Sequence, residues 1–351
     1  QAKYGEDVTL DNPSKTIKVT INDNNEGSVI SENEISKILT FKGWSGKDIS
    51  GTALANNVSW NGSIIKANTF KNLTDEQDKT VTLEANFEDT SITLPSVEKT
   101  GYTCVLKDGE NKYNSSSTYP IKGNDVDKEL IVECGANTYT ITYNANGGSG
   151  TMDATTCTYD KDCTLRANTY TKVGYTFDHW ELNANTYKDQ ATVKNLGESG
   201  NVELKAIWKA NTYKIAYELN GGSASNLPTG ATFDKDIEIS NPTKEVNVTI
   251  DENNQGATLV KTIYTGSPSF KGWTGSNLSN TSLANGTSWN GALTKETKFK
   301  NLTSTLNGTV NLTANYDEAS ITLDIPTKVG YTCGYTDEKN GDIKYTTSIN
   351  V

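Results

Sequence analysis

The chain has 351 residues, of which only 34% are hydrophobic, and its 43 acidic against 32 basic residues give a net charge of −11. Because the opposite charges are interspersed, the sequence lacks the clustered basic side chains that bind phosphate backbones, and nucleic acid is not an expected partner. No run approaches the roughly 18 apolar residues of a membrane-spanning helix, so no membrane contact is expected within this segment.

A repeat of 229 residues organises the chain. Residues 1–122 return as residues 230–351 without an insertion or deletion. For example, Phe41-Lys42-Gly43-Trp44 returns as Phe270-Lys271-Gly272-Trp273. A repeat of this length indicates a tandem array.

A shorter repeat of 74 residues lies inside the long one, because Ala136-Asn137-Thr138-Tyr139 returns as Ala210-Asn211-Thr212-Tyr213. Together the two repeats predict five small units. They are an expanded unit lacking its first strand (1–88), a shortened disulfide-bonded unit (89–135), a compact unit (136–209), a complete expanded unit (210–317) and a truncated shortened unit (318–351).

The local pattern favours short strands joined by tight turns. Residues 31–39 carry the capping-box pair Ser31 and Glu34 and are a helix candidate, but the second copy of this stretch contains Gly266 and Pro268, which a shared helix would not accept. Elsewhere, polar and apolar residues alternate with the period of two that half-buried strands require, as in residues 202–208. Asn-Gly and Gly-Gly pairs supply the turns. The predicted fold class is therefore mainly β, a tandem rod of small modules.

Three motifs of the compact unit carry a family resemblance. They are Tyr139-Thr-Ile-Thr-Tyr-Asn-Ala-Asn-Gly-Gly148, Lys172-Val-Gly-Tyr-Thr-Phe-Asp-His-Trp180 and Val202-Glu-Leu-Lys-Ala-Ile-Trp208. In this order they resemble the Listeria-Bacteroides repeat, the B-repeat of the internalins. The resemblance implies β-grasp-like modules in series on secreted bacterial surface proteins, acting as stalks or partner-binding spacers. It implies no catalytic residues. The expanded and shortened units keep only parts of these motifs.

The chain has five cysteines, and four of them allow three disulfide connectivities. We favour Cys104 with Cys134 and Cys157 with Cys163. Cys333 is the copy of Cys104, and the copy of Cys134 would fall beyond residue 351, so Cys333 is expected to be unpaired. Zinc is the alternative, but the spacings match no common zinc motif, and no metal or cofactor is expected. Disulfides predict an oxidising, extracellular setting.

The favoured pairing also has a packing reason. By repeat alignment, Cys104 takes the place of Phe177 and Cys134 that of Trp208. A disulfide would therefore replace an aromatic core contact in the shortened unit.

The remaining candidate site residues are one histidine and two tryptophans. His179 is the only histidine, and its counterparts in the repeats are Gly43 and Gly272, so we expect a surface or packing role and no enzyme chemistry. Trp60 and Trp289 lie in inserted segments, where they are candidates for a sugar-stacking platform or, alternatively, core residues.

These observations predict a non-enzymatic extracellular segment of a bacterial cell-surface protein, either a stalk or an adhesin, whose first partners are neighbouring repeats. One alternative is a subunit of a fibre or surface layer that pairs with identical chains through edge strands. Residues 1–88 lack the strand that residues 213–217 supply in the complete copy, and a neighbour could donate it. The other alternative is a glycan- or protein-binding module centred on Trp60 and Trp289.

Overall fold

A computed structural model describes residues 1–50, 54–252, 256–279, 282–283, 286–337, 344–345 and 347–351. They fold into two compact units. The first comprises residues 1–141, 154–165 and 192–202, and the second comprises residues 142–153, 166–191 and 203–351.

All regular secondary structure in the described part of the chain is β-strand. In order, the strands are β1 (Asp7–Thr9), β2 (Lys15–Asn22), β3 (Val29–Ile30), β4 (Glu34–Leu39), β5 (Phe41–Lys47), β6 (Thr69–Lys71), β7 (Thr82–Phe87), β8 (Thr90–Thr93), β9 (Val97–Glu98), β10 (Tyr102–Asp108), β11 (Asn111–Asn114), β12 (Thr118–Ile121), β13 (Lys128–Ala136), β14 (Thr138–Asn144), β15 (Thr155–Thr158), β16 (Cys163–Thr164), β17 (Tyr175–Leu182), β18 (Asn185–Tyr187), β19 (Thr192–Val193), β20 (Gly200–Ala210), β21 (Thr212–Glu218), β22 (Gly230–Thr232), β23 (Asp236–Glu238), β24 (Val246–Thr249), β25 (Ile263–Gly266), β26 (Phe270–Ser276), β27 (Ser282–Leu283), β28 (Lys298–Lys300), β29 (Thr309–Tyr316), β30 (Ser320–Thr322), β31 (Tyr335–Thr336), β32 (Lys344–Tyr345) and β33 (Ser348–Asn350).

The predicted mainly β class is confirmed, and the helix candidate at residues 31–39 contains strand β4. The exposure of side chains along β4 alternates from Glu34 to the buried Leu39. This is the period of a strand with one face on a core.

The main sheet of the first unit joins two segments that are distant in sequence. Its strand order is β11-β10-β13-β2-β4. Strand β2 runs parallel to β13, with Ile21 opposite Leu130, and every other pair in the sheet is antiparallel. Residues 15–39, which the repeat alignment places inside 1–88, therefore lie in the sheet of residues 89–135.

The same two segments share one hydrophobic core. Its buried members include Ile17, Val19, Ile21 and Leu39 from the first segment and Leu94, Leu106, Tyr119, Ile121, Leu130 and Val132 from the second. A stretch as short as residues 89–135 buries too little apolar surface to be stable alone. Residues 15–39 supply the missing half of its core.

The second unit repeats this arrangement near the end of the chain. Strand β24 pairs with β25, and β30 pairs with β33. Their core is formed by Tyr264 from the first segment and by Ile321, Leu323 and Tyr335 from the second. The bridge between Thr258 and Thr327 corresponds to the pairing of Val29 with Glu98 in the first copy.

The complete expanded module, also in the second unit, has a sheet of order β22-β21-β29-β26 and a smaller sheet of order β23-β28-β27. Trp273, Phe299, Leu302, Val310 and Leu312 are fully buried in a single hydrophobic core of this module. In the rest of that unit, β17 pairs with β18 and β20. In the first unit, β14 pairs with β15, and β16 pairs with β19.

A glycine precedes the core tryptophan of the expanded module at a β-bulge. Gly272 has a φ of +149°, and a Cβ built on it would lie 2.5 Å from the carbonyl oxygen of Thr294. The register of β26 on β29 shifts between Phe270 and Gly272. Only glycine fits both the backbone conformation and the close approach.

We therefore expect Gly272→Ala to destabilise this module by more than Gly221→Ala. Gly221 also has a positive φ, but a Cβ there would meet only the Cε of Lys244 at 3.7 Å, so its replacement should cost about 1 kcal/mol. The clash at Gly272 should add about 1 to 3 kcal/mol. Hydrogen exchange of the amides of β26 and β29 in increasing urea measures the difference between the two variants, and equal losses would contradict the prediction.

Candidate functional site

The first and last strands of the complete expanded module lie side by side. Strands β21 and β29 are parallel, and their register runs from Lys214 opposite Thr309 to Glu218 opposite Thr313. The chain enters at the start of β21 and leaves at the end of β29. In a parallel pair these two points lie at opposite ends, so tension along the chain acts in opposite directions on the two strands.

The same arrangement occurs in the first unit. There β2 is the first strand of residues 15–39, and β13 is the strand with which residues 89–135 end. The parallel pair lies inside the sheet in both cases, with β4 or β22 on one side and β10 or β26 on the other. Each pair is therefore covered on both edges.

An asparagine in the turn after the first strand fastens that turn to the last strand. The Nδ2 of Asn220 donates to the carbonyl of Ala314 at 2.8 Å, and the Nδ2 of Asn25 donates to the carbonyl of Val132 at 2.9 Å. Asn220 has a φ of +47°, a conformation that Asn tolerates better than most residues. These contacts explain the Asn-rich turns of the sequence and add a side-chain bond to each parallel pair.

Two disulfides cross-link the strands. Cys104 on β10 is bonded to Cys134, directly opposite on β13, and the Cα atoms are 4.1 Å apart. Cys157 on β15 is bonded to Cys163 on β16. Cys333 is a free thiol. The first disulfide links β10 to β13, and β13 is also the partner of β2 in the parallel pair.

Trp60 and Trp289 are both buried, with 6% of their surface exposed. The Trp289 ring packs on Phe299 with centroids 5.1 Å apart, and its Nε1 donates to the carbonyl of Ala292 at 2.6 Å. Trp60 makes the equivalent contacts with Phe70 and the Ser63 carbonyl. Neither ring presents an open face on which a sugar could stack.

His179 lies at the bulge position of β17, as Gly272 does in β26. Its Nδ1 is 2.7 Å from the carboxylate of Asp178, which is exposed. No group of three or more metal-ligating side chains occurs within the described residues. No helix capable of spanning a membrane was found in the same part of the chain.

The interior of each module is held by buried side chains and by pairing between strands that are distant in sequence. The interior of the complete expanded module is formed by Trp273 and its neighbours, and its closure depends on parallel strands whose pairing spans about 90 residues. The chain is thus an all-β repeat protein of small modules, cross-linked by disulfides.

One segment of the chain matches a known family. Residues 139–207, about a fifth of the chain, match the family model of the Listeria-Bacteroides repeat domain. The predicted resemblance of the compact repeat to this family, which is typical of bacterial surface proteins, is therefore confirmed. No curated protein and no solved structure matches the chain. The disulfides fit the extracellular setting of such proteins.

Proposed function

We propose that this chain is a force-bearing stalk segment of a bacterial cell-surface protein, located outside the cell and without enzymatic activity. Its partners in this role are the neighbouring repeats of the same chain. The observation that carries the proposal is the parallel pairing of the first and last strands, β21 with β29 and β2 with β13.

The mechanical reason lies in how hydrogen bonds are loaded. When two strands are pulled along their axes in opposite directions, the bonds between them are sheared together and must break nearly at once. When strands are peeled apart from one end, the bonds break singly and at lower force. Since the parallel pair of the expanded module has five residue pairs in register, from Lys214 to Glu218, it is loaded in the stronger geometry.

The disulfides add a limit on extension. The bond between Cys104 and Cys134 encloses 30 residues, which would otherwise extend by about 100 Å. An oxidised stalk therefore lengthens less when a module yields.

Single-molecule pulling on the full chain tests the proposal, with Ala216→Pro as the principal variant. The N–H of Lys214 donates to the carbonyl of Gly308 at 2.8 Å, so alternate residues of β21 donate toward β29, and Ala216 is the next of them. Proline removes that donor, and the unfolding force of this module should fall.

Ala216→Ser is the matched control, because it keeps the N–H at the same exposed position. The unfolding forces of the other modules should stay unchanged in both variants. Adding a reductant should lengthen the extension of the module that holds Cys104 and Cys134 by about 100 Å. Unfolding at low force in the unmodified chain, with no effect of Ala216→Pro, would refute the stalk proposal.

One observation favours a second candidate, a self-assembling subunit. Among the described residues of 1–88, strand β7 pairs with β5 alone, whereas its copy β29 pairs with both β21 and β26. An unpaired edge of this kind can accept a strand from another chain. Negative-stain electron microscopy over a concentration series distinguishes the two, since separate particles at all concentrations support the stalk and ordered fibres or sheets support assembly. The glycan-binding alternative receives no support from the buried Trp60 and Trp289.

A further inference from the structure

A Lys-x-Gly-Tyr corner is formed three times in the chain, at residues 99–102, 172–175 and 328–331. In each corner the tyrosine N–H donates to the lysine carbonyl, at 3.0, 3.0 and 3.1 Å. The lysine Nζ lies over the tyrosine ring, 4.2, 4.6 and 4.9 Å from its centroid. The glycines have φ values of +75°, +77° and +81°. The corner is thus the same local structure in all three places.

The first corner holds the repeat that follows it. The ring of Tyr102 packs edge-on against Tyr159, with centroids 5.9 Å apart, and its hydroxyl donates to the carboxylate of Asp160 at 3.0 Å. A Cβ on Gly101 would overlap the ring of Tyr159, so only glycine admits this contact. Asn195 holds the carboxylate in place, with Nδ2 donating to Asp160 at 2.8 Å.

The linker between the two repeats is bound in the same place. The N–H of Asn137 donates to the carbonyl of Gly101, and the carbonyl of Asn137 accepts from the N–H of Tyr159, both at 2.9 Å. The hydroxyl of Thr103 donates to the Asn137 side chain at 2.7 Å. Asn137 therefore bridges the corner and the compact repeat. Its N–H and side chain bond to the corner and the adjoining Thr103, and its carbonyl bonds to the repeat.

The second corner is bound by a different module through the same atoms. Tyr175 packs edge-on against Phe233 with centroids 5.8 Å apart, and its hydroxyl donates to Asp234 at 2.6 Å. Thr176 donates to Asn211 at 2.7 Å, and Asn301 donates to Asp234 at 2.9 Å. The same set of contacts thus binds two different modules to the corner that precedes them. We interpret this set of contacts as the connection between successive modules.

The hydrogen bonds shift the acidities of both partners. The pKa of Asp234 is lowered, first by the Tyr175 hydroxyl and then by Asn301, and the pKa of Tyr175 is raised by its bond to Asp234. Asp160 and Tyr102 show the same directions, with Asn195 as the leading cause for the lowered pKa of Asp160. Because these side chains are largely exposed, the pKa shifts arise mainly from the hydrogen bonds and not from burial. They indicate that the contact is formed.

The third corner has its partner face exposed. Tyr331 is 70% exposed, and a Cβ on Gly330 meets no atom of the described residues within 4 Å. We propose that residues 330–332 are the docking surface for a further compact Listeria-Bacteroides repeat, which binds through its linker asparagine and its aromatic-Asp pair. The compact type is the expected occupant because corner 328–331 is the 229-residue copy of corner 99–102, whose partner is the compact repeat. This inference does not depend on the stalk proposal.

Tyrosine nitration followed by mass spectrometry tests the coupling in the chain as it is. We expect Tyr331 to react fast and Tyr102 and Tyr175 slowly. Asp160→Ala should raise the rate at Tyr102 alone, and Asp234→Ala should raise the rate at Tyr175 alone. Equal rates at all three tyrosines, unaffected by these substitutions, would overturn the coupling role.

Docking is tested by appending a second copy of residues 123–209 after Val351, which restores the order found after residue 122. The nitration rate of Tyr331 should then fall to that of Tyr102. The control carries Tyr159→Ala and Asp160→Ala in the appended copy only, and in it the Tyr331 rate should return to the original value. An unchanged Tyr331 rate in the extended chain, with the appended Cys157–Cys163 disulfide formed, would overturn the docking proposal.

Discussion

Replacing Cys104 and Cys134 together by serine should lower the free energy of unfolding of their module by about 3 to 4 kcal/mol, the chain-entropy value for a loop of 30 residues. The structure adds a reason for a large effect. Both cysteines face each other across β10 and β13, and Cys104 is buried in the core that residues 15–39 complete. Without the bond, two polar hydroxyls replace apolar sulfur at this position.

Because the chain has several modules, a single melting temperature would not isolate this effect. Hydrogen exchange of the amides of β10 and β13 in increasing urea reports on the affected sheet alone. The matched control is the double replacement of Cys157 and Cys163 by serine. That bond closes a loop of only 6 residues, so its loss should cost about 2 kcal/mol, measured in the same way at the amides of β15 and β16. A larger loss in the control than in the Cys104 and Cys134 variant would contradict this account.

Trp289→Ala should destabilise the complete expanded module by about 3 to 5 kcal/mol, the range for removing a buried aromatic side chain. The Trp289 ring packs against Phe299 and closely approaches Gly275, where a Cβ would lie 2.6 Å from it. Its removal leaves a cavity that the rigid sheet around β26 cannot readily close. The indole N–H bond to Ala292 is lost as well.

Hydrogen exchange of the amides of β26 and β29 in increasing urea measures this loss in the affected module. Trp60→Ala, the equivalent change in the first copy, should destabilise residues 1–13 and 40–88 in the same way, because Trp60 packs on Phe70. Val329→Ala is a surface control, since Val329 is fully exposed, and it should change stability little. Unchanged stability of Trp289→Ala, together with lost binding to glycans, would instead make this tryptophan a ligand contact.

Much of the local structure follows from residues that are near one another in sequence. Alternation in residues 202–208 gives the strand β20, and Asn146 and Asn220 adopt the positive φ of the turns in which their sequences place them. The repeat comparison also explains the position of His179, which lies at the bulge of β17 just as Gly272 lies at the bulge of β26. These features depend on the side chains of a few adjacent residues, which the sequence displays directly.

The sequence by itself determined the β class, the tandem organisation and the family of residues 139–207, because periodicity and repeats are properties of order along the chain. Only the tertiary structure decided that residues 15–39 join the sheet of residues 89–135. The alternation of polar and apolar residues shows which face of a strand is buried, but it does not show which strand pairs with it, because backbone hydrogen bonds are the same for any partner. The partner is chosen by which surfaces complete a common core, and here Ile17, Val19 and Ile21 fill the core that the shortened unit cannot form alone.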